Sequence, residues 1–372
     1  MECDVTIEDM TDWSYLDELL PKALALRSQV AAAQRGAHGN AIPTGTSQNS
    51  HRQVMAPSSA DGRSGSDSWR VLFNRLDFHT LNQRAGLEPV LVEVQDSRGR
   101  LLGGLSGMRD GDTFVGGFGA PFGGLDVVDS QAHNVAHVIE DSAHQLQDAG
   151  IQQIRLKMPP ACFDAVEIMV QVAVNNGFAV ERTDVTQHVQ IASWPSEDAF
   201  LASRAPGVAD SLQRLPGQDF AFSEVTDGRN FALAHHSLVD QGRQSGCTFG
   251  LSLPHLHSAR GALNAELRLF QVLHGDALAG TALMYRVRPR QCLVLAWVDA
   301  ESPFAGSSLL TLAHGVVTTS IAEGMATLDL GLAHDGRPRL AGSSNSGAVL
   351  EQLQRILPAT TEARFTLVRK LA

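Results

Sequence analysis

The chain has 372 residues, of which 43% are hydrophobic and 19% are charged, and its formal net charge is −11. This length suits two domains, and the composition is that of a globular chain, so collagen, coiled coil and wholesale disorder are excluded. The acidic balance disfavours a DNA-binding or anionic-membrane surface.

Cysteine usage and the first residues predict a soluble cytoplasmic protein without a membrane partner. The four cysteines are far apart and form no C-x-x-C pair, which favours reduced thiols over a disulfide framework. The first residues are acidic and lack the basic and apolar regions of a secretory signal. No apolar run approaches the roughly 18 residues that span a bilayer.

The first 68 residues read as a helical segment followed by a linker. Residues 14–34 have helical spacing with Pro21 near the start, so residues 1–35 are predicted to be an N-terminal helical segment. Residues 36–68 are rich in Gly, Ser, Asn and Pro and predict a flexible linker. Order is expected to resume at Trp69.

From Trp69 the pattern alternates between strands and helices. A hairpin is expected over residues 101–119 with Asp110-Gly111 as its turn, and a helix over residues 129–149 with Asp129 or Ser130 as N-cap. The other elements predicted in this half are strands at 88–96, 151–158, 178–184 and 188–193, and a helix at 162–176.

The second half repeats this order. Three strands joined by the turns HGD and RPR are expected over residues 265–298, and a helix over 307–323 is stopped by Gly324. A strand at 326–332, a helix at 347–357 and a last strand at 364–371 complete the predicted elements.

The recurrence predicts an internal duplication. GAPFGG at 119–124 and SPFAGS at 302–307 each follow a hairpin and precede a helix, a glycine and a strand. We therefore expect two domains, 69–192 and 193–372, split near residue 193. A glycine-bearing loop before a helix N-terminus is suited to binding an anion such as a pyrophosphate.

This element order resembles the GNAT-type N-acyltransferase fold, and the chain is similar to the FemAB-like tandem-GNAT proteins. The resemblance covers roughly residues 69–372 and is carried by FNRLDFHTLN, GGFGAPFGG, LFQVLHGDALAGTALMYRV, CLVLAWVDAESPF, MATLDLGL and FTLVRKL. It implies an α/β (α+β) fold of two tandem GNAT-like domains with mixed, mostly antiparallel central sheets. It also implies an enzyme that transfers an acyl group from acyl-CoA to an amine of a small molecule or an amino sugar.

The second domain is predicted to hold the donor. Ser307 and Ser308 can cap the following helix and donate to a phosphate, whereas Asp126 and Asp129 beside the first loop would repel one. The predicted donor-binding residues are Phe304, Ala305, Gly306, Ser307 and Ser308. The first domain is then expected to shape the acceptor pocket, with Phe118, Phe122 and Gly123 at its rim.

Amine acylation needs a proton acceptor and donors for the oxyanion. The predicted acids are Asp299, Glu301 and Asp329, which lie at strand ends. Asp329 follows an apolar run and is either a buried carboxylate with a raised pKa or an acid that caps or pairs with Arg337. Backbone N–H groups near 295–298 are candidate oxyanion donors, and Tyr285 is not assigned as the thiolate acid.

Several alternatives stay open. One is an aminoacyl-tRNA-dependent Fem-type ligase, although the acidic charge disfavours tRNA; another is a catalytically silent scaffold with this fold. His133, His137 and His144 with Glu140 read as a solvated helix face, so no metal is expected. Cys292 is expected in the core, and the arginines at 286, 288 and 290 form a solvated turn or a phosphate grip.

Overall fold

The computed structural model describes residues 69–83, 86–163, 165–204, 206–215, 219–244, 249–299, 306–332 and 347–371. The helical segment and the linker predicted over residues 1–68 lie outside this described part of the chain. No helix within it is long and apolar enough to cross a membrane.

Twelve strands are assigned in the described residues, and they match most of the sequence prediction. The strands are β1 (Leu87–Gln95), β2 (Leu101–Asp110), β3 (Thr113–Gly116), β4 (Leu125–Val127), β5 (Gln153–Lys157), β6 (Ala179–Gln190), β7 (Phe220–Glu224), β8 (Leu267–His274), β9 (Ala277–Arg288), β10 (Gln291–Asp299), β11 (Thr327–Leu332) and β12 (Thr360–Lys370). The two strands predicted at 178–184 and 188–193 were wrong as separate elements, because β6 runs without a break from Ala179 to Gln190 and a short 3-10 helix follows at Ile191–Ser193.

The helices in the described residues are α1 (Leu76–Asn82), α2 (Ala132–Asp148), α3 (Val166–Asn175), α4 (Glu197–Ala202), α5 (Pro206–Arg214), α6 (Gly228–Gln244), α7 (Leu253–Leu263), α8 (Ser307–Ala322) and α9 (Gly347–Ile356). Only α2, α3, α8 and α9 lie close to predicted positions, and the other five helices were not predicted. The predicted caps of α2 were wrong: its N-cap is Gln131, and Asp129 instead accepts a hydrogen bond from the Gln131 N–H at 3.1 Å. His133, His137 and His144 are exposed on α2, and Cys292 is buried in the core, both as predicted.

The strands form one mixed sheet in the order β1-β2-β3-β5-β12-β6-β11-β10-β9-β8-β7, with β4 paired to β2. Only the pairs β3–β5 and β10–β11 are parallel, and the other pairs in the described residues are antiparallel. The prediction of a mixed, mostly antiparallel sheet is therefore confirmed.

The two halves have the same plan and exchange their last strands. In each half a hairpin strand runs parallel to the strand that follows the next helix, first in β3 and β5 and then in β10 and β11. The final strand of the first half, β6, pairs with β11, whereas the final strand of the second half, β12, lies between β5 and β6. The split near residue 193 stays a prediction, since β12 belongs by position to the other half's part of the sheet.

A buried polar network ties the beginning of the described chain to the sheet. Asp126 accepts hydrogen bonds from the Val71 N–H and from Asn74 Nδ2 at 2.7 Å, and Arg288 of the second half reaches it at 3.3 Å. Asn74 in turn accepts from the Gly124 N–H at 2.6 Å, and its carbonyl accepts from Ser106 Oγ. Each of these buried polar groups thus has a hydrogen-bond partner, and this offsets the free energy lost when polar groups leave water.

His79 extends this network through Ser106 and is 2% exposed. Burial lowers the pKa of His79 to about 4. The unfolded chain binds a proton at this residue near pH 6.5, and the folded chain does so only near pH 4. The contribution of neutral His79 to the unfolding free energy is therefore fully present above about pH 6.5 and is lost as the pH falls towards 4.

We expect His79→Gln to flatten the fall of the unfolding free energy between about pH 6.5 and pH 4. The full effect is about 3 kcal/mol, because each pKa unit corresponds to about 1.4 kcal/mol. Urea titrations at several pH values measure it, with the exposed His144→Gln as control. An unchanged slope in His79→Gln would show that this residue ionises equally in both states.

Candidate functional site

The strand register places a row of side chains on one face of the central sheet. Leu293 of β10 pairs with Tyr285 of β9 and with Asp329 of β11, and Asp329 pairs in turn with His188 of β6. Directly paired residues of neighbouring strands project to the same face. Tyr285, Leu293, Asp329 and His188 therefore follow one another across four strands.

A gap in the sheet opens beside this row. β10 and β11 pair only from Gln291–Thr327 to Leu293–Asp329, while β10 continues to Asp299. β10 also changes register against β9 between Val294 and Ala296. Asp329 consequently lies at the last paired position, where the two parallel strands separate, and the irregular segment of β10 lies opposite.

Asp329 is 1% exposed at this position. Its Oδ1 accepts hydrogen bonds from Thr186 Oγ1 at 2.7 Å and from the Gly331 N–H at 2.8 Å. Burial raises the pKa of Asp329 to about 6, and these two hydrogen bonds and the charge of Arg364 oppose that rise. Of the two interpretations of Asp329, the buried carboxylate with a raised pKa agrees with the structure, whereas Arg337 lies outside the described residues.

Three further groups cluster beside Asp329. Cys162, His188 and Glu362 place one side-chain donor atom each within 4.8 Å of one another. His188 Nδ1 lies 3.6 Å from Glu362 Oε1. Burial and the carboxylates of Asp329 and Glu362 raise the pKa of the Cys162 thiol, while burial raises the pKa of Glu362 and lowers that of His188.

Basic side chains lie on the same face towards β5. Asp184 accepts from Arg182 at 2.9 Å and from Arg364 at 3.4 Å. Lys157 pairs with Thr366 of β12, and burial followed by the nearby charges of Arg364 and Arg182 lowers its pKa to about 8. The central strands thus carry acids towards β11 and bases towards β5.

A pocket of about 240 Å³ lies over the β9–β10 part of this face and is walled by both halves. Its first-half wall comes from Phe73, Phe78, Leu81, Asn82, Gln83, Gly119 and Pro121. Its second-half wall comes from Phe249, Gly250, Leu251, Ser252, His255, Ala259, Leu263, Tyr285 and Leu295. A mostly apolar lining with a few polar groups is typical of a small-molecule site.

Tyr285 is the buried polar residue of this pocket. It is 4% exposed, Phe73 packs edge-on against its ring at 5.5 Å, and burial raises the pKa of its phenol. Tyr285 is not among the site residues predicted from the sequence, because it lies in a strand. Only the register of β9 against β10 reveals that it shares a face with Asp329.

The predicted donor loop is described from Gly306 onward, so Glu301, Phe304 and Ala305 lie outside the described residues. Gly306 has a φ of +92° and its N–H donates to Asp299 Oδ2 at 2.8 Å, while the buried Ser308 hydroxyl donates to Asp299 Oδ1. Ser307 begins α8 and is partly exposed. Both carboxylate oxygens of Asp299 therefore hold the beginning of α8, and its catalytic role stays a prediction.

The first-half loop is built differently from its predicted counterpart. β4 and a turn separate GAPFGG from α2, so this loop does not lead directly into a helix as the sequence analysis expected. The Gly123 N–H donates to the Lys157 carbonyl at 2.7 Å, and Lys157 Nζ donates to the carbonyls of Gly117 and Ala120. These three hydrogen bonds hold the loop against Lys157 at the end of β5.

The three predicted rim residues of the acceptor pocket occupy other positions. Phe122 is fully buried between Phe73 and Phe163, Phe118 is partly exposed, and Gly123 faces Asn74. Their neighbours Gly119 and Pro121 line the pocket instead. The loop therefore contributes to the pocket wall, while a substrate role for Phe118, Phe122 and Gly123 stays a prediction.

The arrangement of this fold is shared with solved structures. The chain superposes on FemX with a TM-score of 0.60 at 9% identity, covering 81% of this chain and 92% of FemX. It superposes on a conserved protein of unknown function from Bacteroides thetaiotaomicron VPI-5482 with a TM-score of 0.50 at 8% identity, covering 82% and 93%. No protein-family model and no curated protein matches the sequence.

These superpositions establish the fold. The chain has the mixed α/β fold of FemX, and the expected resemblance to FemAB-like tandem-GNAT proteins is confirmed at the level of the fold. At such low identity the fold does not determine the substrates.

Two substitutions test the capping role of Asp299. Asp299→Ala removes the acceptor of the Gly306 N–H and of Ser308, so we expect the unfolding free energy to fall by about 0.5–2 kcal/mol. Asp299→Asn keeps an acceptor oxygen, and we expect it to lose less. Chemical denaturation measures both, and equal stability of all three proteins would contradict the capping role.

Proposed function

We propose that the chain is an N-acyltransferase, which moves an acyl group from an activated donor to an amine bound in the pocket between its halves. One observation carries this proposal: the pocket and the gap between β10 and β11 open on the same face of the sheet, with Asp329 at the foot of the gap. Donor and acceptor brought to this place would react as neighbours, which is the main requirement of amine acylation.

The proposed step uses groups from both sides of the gap. The deprotonated acceptor nitrogen attacks the donor carbonyl carbon, and the new C–N bond forms. The bond from that carbon to the thiol sulfur or ribose oxygen of the donor breaks, and the second proton that the nitrogen loses passes to this leaving sulfur or oxygen. Asp329 accepts the proton of the acceptor ammonium, since a carboxylate with a pKa of about 6 is ionised at neutral pH and still basic enough to take it. Backbone N–H groups of the irregular segment around 294–296 are the proposed oxyanion donors.

Tyr285 is proposed to orient the acceptor. Tyr285 of β9 and Asp329 of β11 both pair with Leu293 of β10, which lies between them. Two strand spacings, or about 10 Å, therefore separate Tyr285 from Asp329. Apolar walls around one phenol suit a small-molecule amine or amino sugar that presents an apolar side to Phe73 and Leu263.

Acyl-CoA is the proposed donor, and an aminoacyl-tRNA is the second candidate. The second candidate is favoured by the contacts of Asp299, because its carboxylate already binds the Gly306 N–H and the Ser308 hydroxyl and places negative charge where a pyrophosphate was expected. A donor that does not use this helix N-terminus avoids that repulsion.

Filling the pocket tests the proposal. We expect Ala259→Phe to reduce acyl transfer at least tenfold, equivalent to roughly 1.4 kcal/mol in the barrier, because its side chain would occupy the acceptor space. Ala262→Phe lies on the same helix, is exposed, and is the matched control. Transfer is measured by mass spectrometry with panels of amines, acyl-CoAs and charged tRNAs.

Asp329→Asn tests the proposed base. We expect a reduction of the transfer rate of about 10²–10⁴-fold with donor binding retained. No transfer and no donor binding across both panels would favour the scaffold alternative. Transfer that survives Ala259→Phe unchanged would place the acceptor elsewhere.

A further inference from the structure

The cluster formed by Cys162, His188 and Glu362, called here the Cys162 cluster, has no part in the proposed transfer step. Its members come from three segments: His188 from β6, Glu362 from β12, and Cys162 from the turn that follows β5. The pairs Thr186–Glu362 and His188–Thr360 make His188 and Glu362 diagonal neighbours on one face of adjacent strands. The strand exchange is thus what brings these three residues together.

Two buried atoms of the cluster lack hydrogen bonds. His188 Nδ1 and Glu362 Oε2 have no hydrogen-bond partner within the described part of the chain, and the side chain of His188 is 4% exposed. Burying polar atoms without partners costs free energy, so such atoms call for a missing partner. The 3.6 Å separation of His188 Nδ1 and Glu362 Oε1 is too long for a good hydrogen bond.

The charges around the cluster favour a cation. Cys162 interacts with the carboxylates of both Asp329 and Glu362, and the nearby Arg364 already binds Asp184. Two carboxylates beside a thiol oppose the thiolate that a free nucleophilic cysteine needs. A divalent ion would satisfy the same three donors and balance the acids.

We propose that the Cys162 cluster binds Zn²⁺ through Cys162 Sγ, a ring nitrogen of His188 and a carboxylate oxygen of Glu362. Sulfur, imidazole and carboxylate together are a donor set that zinc accepts. Donor atoms in a tetrahedral zinc site lie about 3.3–3.8 Å apart, so atoms now within 4.8 Å need to draw in by about 1 Å. Three protein ligands leave a fourth position for water or substrate, which distinguishes this site from a closed structural one.

The test measures metal binding directly, without an activity assay. The purified chain is stripped with a chelator and dialysed against Zn²⁺ or Co²⁺, and bound metal is counted by mass spectrometry. We expect about one ion per chain and, with Co²⁺, thiolate-to-cobalt charge-transfer absorption in the near ultraviolet. Cys162→Ser should remove that absorption and Glu362→Gln should weaken binding, whereas Cys292→Ser, at a buried core cysteine, should change neither.

Each other outcome overturns the proposal. Binding of no ion by the folded chain, or absorption that survives in Cys162→Ser, excludes this site. Circular dichroism of each variant shows whether a loss of binding comes from unfolding. None of these results depends on whether the chain transfers acyl groups.

Discussion

The exchange of the last strands is the constraint on which the rest of the structure depends. β12 of the second half pairs with β5 and β6 of the first half, and β6 pairs in turn with β11 of the second half. Neither half therefore completes its own sheet. A half without its partner would expose an unpaired strand edge, which proteins avoid. The duplication therefore yields one continuous sheet, and the polar face at its centre exists only when both halves are folded together.

The same exchange explains why acidic and basic groups meet away from solvent. The alternation of β6 places Asp184, Thr186 and His188 on one face, and the antiparallel register sets Arg364 and Glu362 opposite the first two. Arg364 and Arg182 neutralise Asp184, whereas Asp329 has hydrogen bonds but no direct ion pair within the described residues. Burial consequently raises the pKa of Asp329 but leaves Asp184 in ion pairs.

Much of the fold follows from local sequence patterns. The hairpin that follows β2, the glycines that end helices and the extent of α8 each depend on neighbouring residues, and each was predictable. The two turn residues of the hairpin are Gly111 and Asp112, one position later than predicted. The continuity of β6 was not predictable, because its polar residues 183–187 are typical of a turn and are covered only by contacts with other strands. Of the residues in the candidate site, Asp329 is the one whose burial was predicted, because it follows an apolar run.

The remaining site residues depend on contacts between distant segments. Thr186 lies 143 residues from Asp329, and Cys162 meets Glu362 only because β12 inserts beside β6. Asp299 was expected to be catalytic because it ends a strand, yet the same position makes it the acceptor for the start of the next helix. An acid at the end of a strand can be catalytic or can accept hydrogen bonds from the start of the next helix, and sequence spacing alone does not distinguish these two roles.

Native-state hydrogen exchange across the sheet tests the central claim most directly. If β12 lies between β5 and β6, the amides of residues 361–369 should be as protected as those of β6 and should exchange only through global unfolding. An edge strand would instead open locally with a much smaller free energy. If the amides of residues 361–369 exchanged their hydrogens fast while those of β6 stayed protected in the folded chain, β12 would not lie between β5 and β6. That result would also contradict the proposed site between the halves.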